Sequence, residues 1–132
     1  MDSPSLSIRS TASKRELVFS QRQDERFHVE LKGFEVSAST DVWAYTDAAG
    51  LNNLFQELGS LDKPWQGDRS WGAIEGDFSL SATCTSLGSV TFRVKIRGAQ
   101  GAPEEWEVSA GLVIEFGQLE QIARSSNAFF CT

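Results

Sequence analysis

Glu75 and Asp77 stand two residues apart, a spacing that in an extended segment puts both carboxylates on one face. Paired carboxylates can split their pKa values and divide acid and base roles, provided a cleft desolvates at least one of them. The stretch they close, PWQGDRSWGAIEGD from Pro64 to Asp77, also holds Trp65, Asp68, Arg69 and Trp71. Arginine clamps carboxylates and indoles stack on rings, so Trp65, Arg69, Trp71 and Glu75 make a candidate small-ligand pocket, or the site of an enzyme. Tryptophan and arginine are also the residues most enriched at interaction hot spots, which makes Trp65, Asp68, Arg69, Trp71 and Glu75 a candidate binding surface. The third use is architectural. Two large rings, an arginine paired with Glu75 or Asp68, and glycines that permit close approach would pin a loop across the end of a sheet. Register, derived below, favours this last use, because it sets Asp77 opposite Arg97.

Elsewhere the chain is poor in chemistry. The single histidine, His28, falls in the polar phase of its segment and reads as a solvated surface residue. Cys84 and Cys131 have no C-x-x-C spacing and no histidine partner, so neither a metal site nor a cysteine nucleophile is expected. Cys84 continues an apolar phase and reads as a buried reduced thiol, whereas Cys131, next to the last residue, reads as exposed. There is no G-x-S-x-G, P-loop or G-x-G-x-x-G, and Gly67, Gly72 and Gly76 have the wrong spacing for phosphate. The expectation is no catalytic residue, no cofactor and no metal.

The elements that position these residues are mostly strands. In DFSLSATC, Phe78, Leu80, Ala82 and Cys84 alternate with polar residues; Val90, Phe92, Val94 and Ile96 repeat the pattern. Trp106, Val108, Ala110, Leu112, Ile114 and Phe116 repeat it again, which describes an antiparallel meander with one dry face. Parity then predicts Thr83 opposite Thr91, Ser81 opposite Arg93, Ser79 opposite Lys95 and Asp77 opposite Arg97, with Gly88 turning the first hairpin. It also places Lys95 opposite Glu107 and Arg97 opposite Glu105. The basic row Arg93, Lys95, Arg97 is thus flanked by acids, a solvated ladder and a poor phosphate track.

The first half alternates too: Leu6 and Ile8; Leu17 and Phe19; Phe27, Val29 and Leu31; then Phe34, Val36 and Ala38. Lys32-Gly33 suits a tight hairpin between the last two sets. In STDVWAYTD, Val42 and Ala44 hold one phase and Trp43 and Tyr45 the other; either a bulge reverses the phase or two aromatics lie on the open face. Leu51, Leu54, Phe55 and Leu58 are spaced for a helix capped by Asp47 or Thr46 and stopped at Gly59; Leu119, Ile122, Ala123 and Phe129 mark a second. Pro64 and Gly67-Asp68 make the start of the intervening connector irregular, and Asp68 or Ser70 can cap a short helical turn around Trp71.

Strands followed by a helix, in both halves, predict one α+β domain over residues 1–132: a twisted antiparallel sheet of about six to seven strands with two amphipathic helices on one face. The repetition hints at an internal duplication. With 40% hydrophobic residues, 132 residues suffice for one core. The net charge of -6 works against nucleic acid and anionic membranes, and no signal-like or spanning segment is evident, so a cytoplasmic protein is expected.

The pattern W-x-G-D-R-x-W-x-x-x-E-G-D, Trp65 to Asp77, resembles the motif of a family of small, uncharacterised bacterial proteins of unknown function. The helix at Leu51–Leu58, the turn and strand at Gly88 to Val90, Trp106 and the closing GQLEQIA extend the likeness over roughly residues 34–124. Its size and acidity are similar to those of immunity proteins, which neutralise a partner toxin. The functional expectation is a non-enzymatic protein-interaction module with a protein partner, bound through an acidic or aromatic surface. The alternatives are the ligand pocket or enzyme above, and a homodimer rather than a monomer, formed through sheet edges or the Trp43 and Tyr45 face.

Overall fold

The computed structural model describes residues 4–47 and 49–131. Alternating apolar residues give eight strands among them: β1 (Ser5–Arg9), β2 (Glu16–Gln23), β3 (Arg26–Lys32), β4 (Ala38–Trp43), β5 (Arg69–Gly72), β6 (Phe78–Cys84), β7 (Ser89–Gly98) and β8 (Trp106–Glu115). Helices α1 (Gly50–Gly59) and α2 (Leu119–Phe130) each follow a 3-10 turn, Tyr45–Asp47 and Phe116–Gln118. The order of four strands, 3-10 turn and helix occurs twice, a structural counterpart to the repetition in the sequence.

The fold is α+β, but the strands form two antiparallel sheets, β1-β2-β3-β4 and β5-β6-β7-β8, in place of one sheet of six to seven. Period-two patterning says which face of a strand is dry, and that is the same for one sheet or two. The division falls where α1 and its connector separate β4 from β5. β5 lies where a short helical turn around Trp71 was expected; pairing Trp71 with Leu80 and Arg69 with Ala82 extends it as an edge strand.

The inner faces of the sheets meet directly. Phe19 of β2 contacts Phe78 of β6 edge-on at 5.7 Å, and Phe27 of β3 reaches the same ring at 6.4 Å. Phe55 of α1 touches Phe19 at 6.3 Å and Phe92 of β7 at 6.1 Å, so this helix packs against both sheets, not on one face of a single one. Helix α2 lies along α1 through a polar seam. Asn52 Oδ1 accepts from Ser126 Oγ (2.7 Å) and Gln56 Nε2 (3.0 Å), and Gln56 also donates to the Ala123 carbonyl (2.6 Å). These bonds satisfy Asn52 and Ser126, the buried polar residues of the core. Gly59, expected as the stop, is the last residue of α1 and lets the helix approach Ala123 closely.

The β6–β7 register is as the parity argument gives it, with Gly88 at φ +90° in the turn. The β7–β8 register is shifted by two: Lys95 faces Ser109 and Arg97 faces Glu107. Two successive turns, closed by Ala102 N to Ala99 O and Glu105 N to Ala102 O, hold Glu105 outside the ladder. The expected ion pairs nevertheless form, Lys95–Glu107 at 3.9 Å and Arg97–Glu105 at 3.3 Å, because parity is unchanged and the long side chains reach diagonally.

The tight hairpin at Lys32-Gly33 does not form. Residues 33–37 are a loop with Phe34 exposed, and β4 begins at Ala38 opposite Leu31. That register brings Val42 opposite Phe27 and Ala44 N to Glu25 O, burying Val42 and Ala44. A feature with no sequence signal protects the β8 edge: the β1–β2 loop bonds to it through Thr11 N to Val113 O, Val113 N to Ser10 Oγ and Arg15 to Gly111 O.

Phe19 is thus the ring through which both sheets and α1 connect. Phe19→Ala is expected to cost about 3–5 kcal/mol in chemical denaturation. A loss under about 1 kcal/mol would contradict the two-sheet core.

Candidate functional site

Trp71 lies on the inner face of β5, so its indole is buried and its N–H needs an acceptor. Asp47, ending the 3-10 turn before α1, supplies it: Trp71 Nε1 donates to Asp47 Oδ2 at 2.7 Å. This corrects the capping role expected of Asp47. Ala49 holds the cap position with no side-chain bond, and the Thr46 side chain lies outside the described residues. Gly50 opens α1 at the point of closest approach; a β-carbon there would stand 2.5 Å from Asp47 Oδ1 and nearer still to the Trp71 nitrogen.

The other motif residues have separate partners. Arg69 pairs with Glu57 of α1, not with Glu75 or Asp68. Trp65 is buried against Phe116, ring centres 6.4 Å apart, beside a surface recess of about 470 Å³ lined also by Lys63, Gln66 and Cys84. Its Nε1 has no hydrogen-bond partner among the described residues. Asp68 is exposed after Gly67, which has φ +82°. Glu75 accepts a bond from the Tyr45 hydroxyl at 2.9 Å. Asp77 accepts one from Gln100 Nε2 at 2.6 Å, and the same nitrogen donates to the Glu75 carbonyl at 2.9 Å. Arg97 meets Asp77 only through its backbone N–H, at 2.8 Å, while its guanidinium takes Glu105 and Glu107. The motif therefore fastens the connector to α1, to both 3-10 turns and to the β7–β8 loop. Trp65 and Trp71 are only 7% and 9% exposed, in keeping with the pinning role.

What lies open is the other aromatic pair. Val42 and Ala44 are buried while Trp43 and Tyr45 are 39% and 40% exposed, so no bulge reverses the phase. Their rings stand 5.7 Å apart, and the Arg26 guanidinium lies 5.5 Å above the Trp43 ring. Ile74, 67% exposed, belongs to the turn that delivers Glu75. Tyr45 has φ +51°, a left-handed backbone that a bulky side chain rarely adopts and that concentrates at functional positions. The bond to Glu75 raises the Tyr45 pKa above the ordinary phenol value; desolvation and the charges of Glu75, Asp77 and Glu25 act in the same direction. The out-of-phase aromatics were visible in the sequence. Glu25, Arg26 and Ile74 were not, because the first two come from the β2–β3 hairpin and the third from the β5–β6 hairpin.

His28 sits on the outer surface with Nδ1 2.9 Å from Asp41 Oδ1. Cys84 is half-buried rather than buried, at the end of β6, and desolvation raises its thiol pKa. Cys131 is exposed. Among the described residues no three metal-ligating side chains cluster, and no helix is long and apolar enough to cross a membrane.

Fold and site together describe an α+β protein of two meander sheets with a structural tryptophan motif and an exposed aromatic face. Residues 7–132 match the family described as Family of unknown function (DUF6228), and the chain belongs to that family. The match takes in β2, β3 and the last three residues of β1, beyond the 34–124 span of the sequence likeness. No curated protein and no solved structure matches the chain.

Two outcomes test this geometry. Asp47→Ala, which removes the indole's acceptor, is expected to cost about 1–2 kcal/mol, and Asp47→Asn, which keeps an oxygen there, distinctly less; equal losses in denaturant melts would contradict the bond. Tyr45 is the only tyrosine, so phenolate absorbance reports it alone. Its midpoint should lie above about 10 and fall in Glu75→Ala. Since the folded pKa is raised, this bond's stabilisation is complete below the unfolded pKa and disappears as pH climbs through the folded one. An unmoved midpoint in the variant would contradict the contact.

Proposed function

We propose that the protein is a non-enzymatic interaction module that docks a protein partner on the Trp43–Tyr45 face. The observation that carries this reading is the contrast in burial: the motif tryptophans are inside, whereas Trp43 and Tyr45 lie open side by side, on and just past the edge strand β4. Aromatic rings give large contact area for little lost side-chain freedom, and Trp and Tyr dominate interface hot spots. Arg26 braces one ring and Glu75 the other, so the face is held in place before a partner arrives.

A pocket built from Trp65, Arg69, Trp71 and Glu75 has less support. Arg69, Trp71 and Glu75 are already engaged by Glu57, Asp47 and Tyr45, and arginine freed to clamp a ligand would have to abandon α1. The short chain and net charge of -6 fit an immunity-like role toward a toxin partner.

Affinity capture from a lysate of the source cells, at low and at moderate salt, tests the reading. A stoichiometric partner held by the native protein and lost by the Trp43→Ala/Tyr45→Ala variant is expected. Failure to recover a partner, or recovery undiminished by the variant, would overturn it.

A further inference from the structure

The Trp43–Tyr45 face is ringed by carboxylates supplied from three separate places. Glu75 and Asp77 come from the β5–β6 turn, where Gln100 fixes both the Glu75 carbonyl and the Asp77 carboxylate. Asp24 and Glu25 come from the β2–β3 turn and line, with Gln23, Arg26 and Trp43, a recess of about 540 Å³. Asp41 precedes Trp43 by two on the same outward side of β4, with its side chain mostly exposed.

The local cations do not balance these groups. Arg22 donates to the Phe129 and Asp24 carbonyls, Arg26 lies over the Trp43 ring and also bonds to Gln23, Arg97 is held by Glu105 and Glu107, and His28 faces Asp41, against the five carboxylates of Asp24, Glu25, Asp41, Glu75 and Asp77. The chain as a whole carries -6, so distant charges do not offset the local excess. Arg26 is itself informative: its guanidinium rests on the Trp43 ring and leaves the neighbouring Tyr45 ring without a cation of its own among the described residues.

We propose that this face takes a cationic segment of a protein partner, a lysine or arginine side chain seated on Tyr45 and flanked by Glu25, Glu75 and Asp77. The inference rests on the interaction reading above and supplies the chemistry of the partner. An exposed ring with carboxylates at its rim attracts a cation twice, through its quadrupole and through their charge, and steers it in from a distance. The same field turns away nucleic acid and an acidic peptide. It also opposes a second copy of this chain set face to face, since that would bring the two carboxylate rims together.

The test measures anisotropy of a dye-labelled synthetic peptide of lysine, arginine and glycine against the full chain, with a glutamate-for-cation peptide as counterpart. The basic peptide should bind, and more weakly as salt rises; the acidic one should not. Glu75→Gln/Asp77→Asn should weaken binding about five- to tenfold, and Tyr45→Ala at least as much. A control with the same charge change away from the face, Asp62→Asn/Glu120→Gln, should change it less than about twofold. Absence of binding, equal loss in the control, or equal binding of the acidic peptide would overturn the inference. So would scattering that shows a dimer broken by Tyr45→Ala. If the captured partner depends on Trp43 and Tyr45 but not on Glu75 and Asp77, the cationic inference fails while the interaction reading stands. If it depends on none of the four, the interaction reading itself fails.

Discussion

Leaving a buried indole N–H without an acceptor costs stability, and for Trp71 the acceptor comes from the other half of the chain. Trp71 is on the first strand of the second sheet; Asp47 closes the 3-10 turn that follows the first. Their bond fixes where α1 begins, and the Arg69–Glu57 pair fixes the same helix near its other end. Between those points Phe55 enters the space bounded by Phe19 and Phe92, so the separation of the two sheets follows from how α1 is held. Gly50 leaves room for the arrangement, since any β-carbon there would collide with both members of the bond.

The period-two residues disclosed most of the strands, the dry faces and one complete hairpin register, because burial on one face imposes the same alternation wherever a strand ends up, and the i, i+3, i+4 spacing disclosed both helices. Which strands share a sheet is a different kind of information. It depends on where α1 inserts, and the alternation at Phe27 or Phe78 is the same with or without that insertion. The short strand at Arg69–Gly72 was hidden because two of its four residues, Arg69 and Gly72, are not strand formers and its apolar signal is one ring, Trp71. The β7–β8 register shows the limit of parity: it forbids odd slips and is silent on even ones, which the turns at Ala99–Glu105 decide.

For the site, residue type was a poorer guide than phase. Arg69, Glu75 and Asp77 drew notice for their chemistry, yet their side chains serve as ties to Glu57, Tyr45 and Gln100. Trp43 and Tyr45 stood out only by being on the wrong side of their strand. That mattered more, because a large apolar side chain out of phase has no burial to explain it, whereas one in phase always does.

The ties and the open face are mechanically one system. Tyr45 and Asp47 belong to the same 3-10 turn, so the bond that ties Asp47 to the buried Trp71 also limits how far Tyr45 can move. Tyr45 is held in a left-handed backbone that would relax if the turn were free, and Glu75 holds its hydroxyl from the opposite sheet. A partner of the kind proposed would meet a ring whose position has been set by the core. Little further ordering is required of it on binding, which is the condition under which a small exposed patch sustains useful affinity.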